Sequence, residues 1–366
     1  MKRLAPPALP AFTLIEVLVA ATILIVMVGF MLAVADQSAR IMRSTSGKIE
    51  QFRQARQGFE RMTTRLSQAT LNTYWDYNNA TTPTRYERRS ELRFLSGSAS
   101  TLLGSSGTLQ RPGHCVFFNA PLGIAETDTY RGLGNALNTW GYYLEFTDDS
   151  NSNTRKVRPD FVTSALVPPK WRWRLMEFAQ PTEKFSVYPY TSGAANGIPN
   201  AATYNRTDWF KTAANAGTAP TRVVAENVVA LIITPRLSKT EELSLQGSPP
   251  NPDLSPLAPD YKYDSTGANA DARLNPKSQL PPIVQVTMVA IDEKSAESLQ
   301  LDSSKWDLLG LSSKFTRTAD FTKDMSLDSP QADSLEKKLV SLRAQYRIFT
   351  TNVHIRAAKW SREQKN

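Results

Sequence analysis

His114 and Cys115 are neighbours in the sequence, and an imidazole beside a thiol can perform nucleophilic catalysis. Adjacent residues of a β-strand point to opposite faces of the sheet, so two side chains at this spacing do not form a catalytic pair. We therefore expect Cys115, the one cysteine of the chain, to be a buried strand residue. His354, the second of the two histidines, is expected to be a structural or surface residue of another strand.

Asp149, Asn151 and Asn153 have the spacing of the first three ligands in an EF-hand-type calcium loop. Two later positions depart from that loop, because Thr154 stands where it requires glycine and Asp160 stands where it requires glutamate. A hairpin turn is the favoured interpretation of this segment, and a metal site is the alternative. We predict no cofactor and no catalytic residue, since the sequence contains no phosphate-binding loop, nucleophile elbow or cluster of metal ligands.

Glu16 is the one ionisable side chain in the apolar segment 12–35. At about 1.5 Å per residue, a helix over this segment is ~36 Å long and can cross a hydrocarbon core of ~30 Å. A carboxylate costs roughly 2.5–3.5 kcal/mol at the centre of a spanning helix and less near an end. We therefore expect a compensating partner for Glu16. The alternative is an interfacial carboxylate that the positive end of the helix dipole stabilises.

Residues 11–20, AFTLIEVLVA, strongly resemble the processing motif of type IV pilins and type II secretion pseudopilins. In that family a prepilin peptidase cuts before the phenylalanine and methylates its new amino group. The resemblance implies cleavage between Ala11 and Phe12, removal of the leader 1–11, and N-methylation of Phe12. The family usually has glycine where this chain has Ala11, another small residue.

Cleavage leaves an α-amine on Phe12, with an ordinary pKa of about 7.7–8, at the end of an apolar helix. A cation and a carboxylate in lipid each need a partner of opposite charge. Glu16 lies one helical turn after Phe12, so it can pair with this amine or with the amine of a neighbouring subunit. Pairing with a neighbour would fix the axial stagger of a helical polymer. The sequence therefore predicts assembly with other pilin-like subunits through the N-terminal helix.

Helical periodicity continues beyond the apolar segment to about Ala69, because apolar residues recur there at steps of three and four. We interpret the basic residues on the other faces as a solvated surface rather than a nucleic-acid stripe. These basic residues are Arg40, Arg43, Lys48, Arg53, Arg56, Arg61 and Arg65. The prediction is one helix with a transmembrane half, 12–35, and an amphipathic half, 36–70. Packed on an antiparallel β-sheet domain, this helix gives a pilin-like, lollipop-shaped α+β fold.

Short β-type segments between polar stretches predict an exported β-rich domain over 71–366. The predicted strands are 91–95, 115–119, 142–147, 171–178, 185–190, 223–234, 283–291 and 346–355. Alternating apolar and polar residues predict that 283–291 is half-buried and antiparallel, while the proline-rich segment 247–282 is predicted to be an exposed loop. Residues 334–343 are predicted to form a helix. Trp171 and Trp173 alternate with Arg172 and Arg174, which predicts an aromatic face packed in the core.

The order of the last strands resembles that of the larger minor pilins and J-type pseudopilins. The chain is also similar to the pilin-like group called Verru_Chthon cassette protein C. This second resemblance adds no biochemical activity, and it agrees with a structural role.

The sequence thus predicts a structural subunit with no catalysis of its own, processed by a prepilin peptidase in the inner membrane. Lys2 and Arg3 keep the N-terminus cytoplasmic and place the C-terminal domain in the periplasm, or in a filament after assembly. By analogy with the pilin family, in which 366 residues is large for the repeating subunit, the resemblance implies a minor subunit. One alternative is a nucleic-acid- or surface-binding minor pilin, although the net charge of +9 supports nucleic-acid binding only mildly. The other is a plain single-pass membrane-anchored periplasmic protein.

Overall fold

The computed structural model describes residues 14–79, 81–105, 109–150, 159, 161–162, 165–187, 207–215 and 221–362. An N-terminal apolar helix is followed by antiparallel sheets with shorter helices between their strands. The predicted α+β class is therefore confirmed. The chain divides into two compact units, Met1–Gln51 and Phe52–Asn366.

Helix and strand bounds follow the apolar patterning of the sequence. The helices are α1 Leu14–Leu66, α2 Ala99–Leu102, α3 Asp208–Asn215, α4 Lys239–Leu245, α5 Glu293–Ser298, α6 Phe321–Met325 and α7 Leu335–Ser341. The strands are β1 Tyr74–Tyr77, β2 Tyr86–Arg89, β3 Phe94–Ser98, β4 His114–Pro121, β5 Leu137–Thr147, β6 Arg172–Gln180, β7 Thr221–Glu226, β8 Val228–Arg236, β9 Tyr263–Asp264, β10 Ile283–Ile291 and β11 Tyr346–His354. The long predicted helix and the predicted helix over 334–343 are both confirmed, as α1 and α7.

The strands among the described residues form three antiparallel sheets. The largest has six strands in the order β7-β6-β5-β4-β3-β9, and a second has three in the order β11-β10-β8. Strands β1 and β2 pair only with each other among the described strands, as a hairpin. Consecutive strands pair side by side through most of the large sheet, which is the arrangement that short connections favour.

The main hydrophobic core lies between the C-terminal part of α1 and the two larger sheets. Met62 and Leu66 of α1 belong to the same buried cluster as Leu144 of β5 and Met288 of β10. Helix α1 approaches the large sheet closely at Gly58, where a Cβ atom would lie only 2.9 Å from the Val224 side chain. A glycine in the helix interior is unfavourable by itself, and here it permits this contact.

Two other clusters cover the remaining sheet faces. Trp209 and Phe210 of α3 pack with Phe117 of β4 on the large sheet. Leu335 of α7 packs with Val289 of β10 on the three-stranded sheet. Strand β10 therefore has core on both faces, and the prediction that it is half-buried is wrong.

The prediction of one strand over 223–234 is also wrong, because Asn227 interrupts it with a φ of 59°. Asparagine tolerates this left-handed conformation better than most residues. The chain leaves the large sheet at the end of β7 and enters the three-stranded sheet as β8. Residues 185–187 of another predicted strand form no strand, and 188–190 lie outside the described residues.

The proline-rich segment 247–282 differs from the exposed loop that the sequence predicts. Ala258, Tyr261 and Tyr263 are fully or almost fully buried. Strand β9 lies in this segment and pairs with β3, and the Tyr263 hydroxyl donates a hydrogen bond of 3.0 Å to the Gln279 carbonyl. The segment thus forms one edge of the large sheet.

Candidate functional site

The segment that resembles a processing motif, 11–20, belongs to the first unit, and the structure describes it from Leu14 onwards. Ala11 and Phe12, the residues of the expected cleavage bond, lie outside the described residues. Glu16 is in the first turn of α1, where a carboxylate is favoured by the partial positive charge of the helix end. The described chain thus begins at Leu14, two residues before the acidic residue on which the expected charge pairing depends.

Helix α1 presents an apolar surface over its first half. The side chains of residues 14–38 are all exposed, including Leu14 at 83% and Phe30 at 71%. The Thr22 hydroxyl donates to the carbonyls of Leu18 and Val19 at 3.1 and 2.8 Å, so this polar side chain is satisfied within the helix. Leu14–Ala39 is long and apolar enough to cross a membrane.

The second half of α1 is held to the large sheet by a buried carboxylate. Glu177 of β6 has no exposed side-chain surface, and it accepts hydrogen bonds from Arg61 Nε at 3.0 Å and from Arg65. Arg222 Nε of β7 and the Tyr142 hydroxyl of β5 donate to the same carboxylate at 2.6 and 2.7 Å. Charged hydrogen bonds of this kind are stronger than neutral ones, and a buried carboxylate requires them.

Arg65 makes a second contact that fixes its position. Its guanidinium carbon lies 4.0 Å from the ring centroid of Trp140, within the range of a cation–π interaction. Burial raises the pKa of Tyr142 well above its ordinary value, and the neighbouring Glu177 carboxylate raises it further. Tyr142 is therefore a neutral donor to Glu177 at physiological pH.

The prediction that the basic residues of this helix form a solvated surface is wrong for two of them. Arg61 and Arg65 keep only 39% and 20% of their side-chain surface exposed, because both reach Glu177. Arg56 agrees with the prediction, since it pairs with Glu60 on the exposed face one turn away. Glu177 is the one acidic residue of the buried strand β6, and this is a sequence signal that it needs basic partners. The signal does not identify those partners, because Arg61 and Arg65 lie more than a hundred positions away in the sequence.

His114 and Cys115 lie on opposite sides of strand β4, as predicted. The His114 ring is buried, its Nε2 donates to the Phe315 carbonyl at 3.0 Å, and its Nδ1 accepts from the Ile233 backbone N–H at 3.2 Å. Burial lowers the pKa of His114 to about 4. Cys115 is buried in the cluster that includes Phe117, and burial raises the pKa of its thiol far above the usual value. His354 is an exposed residue of β11, in agreement with the prediction.

The weak calcium candidate is only partly described. Asn151 and Asn153 lie outside the described residues, and Asp149 Oδ1 accepts a hydrogen bond of 2.7 Å from the Lys170 backbone N–H. Within the described ranges, no group of three or more His, Cys, Asp or Glu side chains could hold a metal ion.

The alternating segment of β6 packs as predicted on its aromatic side. Trp173 is buried, with its ring centroid 5.1 Å from that of Phe146. Arg172 and Arg174 are buried as well, and each binds a carboxylate, Glu293 at 2.6 Å and Glu226 at 2.9 Å. Arg172 thus connects β6 to α5, and Arg174 connects β6 to β7.

No protein-family model, curated protein or solved structure matches this chain. Its function is therefore inferred from its own residues.

Proposed function

We propose that this chain is a structural subunit of the pilin or pseudopilin type, which assembles through its N-terminal helix into a type IV pilus or type II secretion-like filament. A prepilin peptidase would process it in the inner membrane, at the bond between Ala11 and Phe12. The observation that carries the proposal is Glu16, which belongs to the segment 11–20 that resembles the processing motif and lies in the first turn of an exposed apolar helix.

The exposed surface of α1 supports this proposal. Soluble monomers rarely expose a contiguous apolar patch of more than a few hundred Å². The side chains of 17–35 exceed such a patch, because apolar side chains are exposed all around the helix there and Thr22 is the one polar residue. Lipid can cover this surface before assembly, and the equivalent helices of neighbouring subunits can cover it afterwards.

The second half of α1 favours a subunit over a plain membrane anchor. An anchor needs only a tether after its span, whereas this helix continues without interruption to Leu66. Met62 and Leu66 belong to the main core, and Arg65 binds the buried Glu177. The C-terminal part of α1 is thus a component of the core of the domain, which a plain anchor does not require. The size of the domain, in a chain of 366 residues, favours a minor subunit.

The deciding experiment is mass spectrometry of the full chain, purified from its native membrane through a C-terminal tag. The proposal expects loss of residues 1–11 and one methyl group on the amino group of Phe12. Ala11→Gly serves as the matched variant, because it restores the residue that the family usually has, and it should be processed at least as completely. Ala11→Phe should block processing, since a large side chain replaces a small one at the cut.

An intact, unmethylated Met1 start in a membrane that processes the Ala11→Gly variant would show that Ala11 is not accepted. A Met1 start for both proteins would overturn the proposal and favour the plain single-pass anchor. Protease protection of the C-terminal tag in spheroplasts tests the expected orientation, with the N-terminus in the cytoplasm and the domain in the periplasm.

A further inference from the structure

The hairpin of β1 and β2 carries a cluster of exposed aromatic side chains. Trp75, Tyr77 and Tyr86 expose 51%, 45% and 59% of their surfaces. Removing such rings from water is favourable. Three neighbouring exposed rings on a short hairpin are therefore unusual for a surface that binds no ligand.

These three rings share one face of the hairpin. The register pairs Trp75 with Arg88 and Tyr77 with Tyr86, and directly opposed residues of antiparallel strands point to the same side. The rings of Tyr77 and Tyr86 stack at a centroid distance of 4.8 Å, and Arg88 lies 5.7 Å from the Trp75 ring. We call Trp75, Tyr77 and Tyr86 the aromatic platform; together with Arg88 they make up this face, which contains no acidic residue.

The turn of the hairpin is held by side-chain hydrogen bonds, which makes the platform rigid. Asn78 Oδ1 accepts from the backbone N–H groups of Thr84 and Arg85, at 3.0 and 3.1 Å. The Asn78 amide also donates to the Thr84 hydroxyl at 2.8 Å. A rigid aromatic surface loses little conformational entropy on binding.

The charges of the hairpin are largely neutralised within the domain. Arg85 pairs with Glu87 at 2.8 Å, and Arg89 lies 3.6 Å from Asp76. Lys277 also binds Glu87, at 3.0 Å. Binding of single-stranded nucleic acid combines aromatic stacking with cations that contact phosphates. Since these cations already have carboxylate partners, and Arg88 is buried with 4% of its surface exposed, the hairpin suits an uncharged ligand better than a polyanion.

The size of the platform also limits its ligand. Four residues per strand, at about 3.3 Å each, give a surface only ~13 Å long and two strands wide. A stable protein interface buries about 800 Å² on each partner, far more than this surface offers. A narrow linear polymer fits it, because a few successive rings can lie along the hairpin.

We propose that the aromatic platform binds a neutral polysaccharide. The faces of aromatic rings carry partial negative charge and attract the C–H groups on the flat side of a sugar ring. The hydroxyl groups of Tyr77 and Tyr86, which lie 3.1 Å apart, offer hydrogen bonds to sugar hydroxyls at the same surface. The platform would serve equally well in a filament subunit or in a plain anchored protein.

The test uses the purified full chain in detergent, incubated with particles of cellulose, chitin or mannan, with oligo(dT) beads, and with blank agarose. We expect retention on at least one polysaccharide, with little change between low and moderate salt because the contact is uncharged. Substituting all three rings, Trp75→Ala, Tyr77→Ala and Tyr86→Ala, should lower the affinity at least about tenfold. Tyr130→Ala is the matched control, since Tyr130 is an exposed tyrosine (43%) outside the hairpin.

The proposal is overturned if none of the three polysaccharides retains the chain above blank agarose. It is also overturned if the triple variant is retained as well as the parent, provided that both have the same circular dichroism spectrum. Salt-sensitive retention on oligo(dT) alone would assign the platform to nucleic acid instead.

Discussion

Arg61 Nε lies 3.0 Å from Glu177 Oε2, although the two residues are 116 positions apart in the sequence. The first is on α1 and the second is on β6, inside the large sheet. Arg65, one turn later on the same helix, binds the same carboxylate. The helix and the sheet are thereby fixed to each other by charge as well as by apolar packing.

Glu177→Gln should lower the free energy of unfolding by roughly 2–3 kcal/mol, because it removes the negative charge that three guanidinium groups share. The loss should stay below the ~3–5 kcal/mol of a fully buried pair, since the arginines remain partly exposed. Urea titration, monitored by tryptophan fluorescence, measures the free energy of unfolding of the variant and the parent. Glu60→Gln is the control, because the Arg56–Glu60 pair is exposed and should change stability by less than ~1 kcal/mol. Equal effects of the two variants would contradict the role of Glu177.

Leu66→Ala should destabilise the domain by roughly 2–5 kcal/mol, since it leaves a cavity where α1 meets the sheets. Thr64→Ala, on an exposed position of the same helix, should change stability by less than ~0.5 kcal/mol. The same urea titration compares them. A small effect at Leu66 would show that this part of α1 is not part of the core.

Acid should destabilise the domain through His114. The pKa of His114 is about 6.5 in the unfolded chain and about 4 in the folded chain. Between these two pH values the unfolded state therefore binds more protons than the folded state. Stability from the neutral ring is present above pH 6.5 and is lost as the pH falls towards 4, by ~2 kcal/mol at pH 5. His114→Gln should remove this part of the pH dependence, measured by urea unfolding at pH 7 and pH 5. His354→Gln, at an exposed position, should retain it.

Cys115 should resist thiol reagents in the folded protein, because it is buried and its pKa is raised. We expect labelling by 5,5′-dithiobis(2-nitrobenzoate) at pH 8 to be at least roughly a hundredfold slower in buffer than in guanidinium chloride. The chain has one cysteine, so the absorbance reports this site alone. Rapid labelling without denaturant would mean that strand β4 is accessible.

Glu16→Ala should leave membrane insertion intact, since it removes a carboxylate from an apolar segment. It should impair incorporation into assemblies, because the amine of Phe12 would lose its expected partner. Chemical cross-linking of native membranes, followed by native gel electrophoresis, measures the assembled fraction. Thr22→Ala is the control, as that hydroxyl bonds only to its own helix in the described structure. Normal incorporation of Glu16→Ala would refute the charge pairing.

Helix α1 and several strands were predictable because their signals are local. No proline interrupts the sequence of α1, and its apolar positions follow the helical period from Phe52 to Leu66. Strands β4, β10 and β11 occupy the segments where apolar and β-branched residues concentrate. The break at Asn227 was not predictable from alternation, because apolar residues continue on both sides of it.

The cluster around Glu177 could not be predicted, because it depends on residues that only the folded chain brings together. Arg61 and Arg65 have the pattern of an ordinary solvated helix face, and nothing local distinguishes them from Arg56. The hairpin of β1 and β2 was also missed, since each of its strands has only four residues and it lies outside the main core. Its aromatic residues became informative only when the register placed Trp75, Tyr77 and Tyr86 on one face.

The continuity of α1 with the core has a mechanical consequence. Arg61 and Arg65 attach consecutive turns in the C-terminal part of α1 to one carboxylate of an interior strand, so a force that pulls this part of the helix off the sheet acts on both ion pairs at the same time. Bonds that share a load in parallel rupture together, at a greater force than bonds that open in succession. Within the second unit, the C-terminal part of α1 is therefore joined to the middle of the large sheet by two charged contacts that resist separation together.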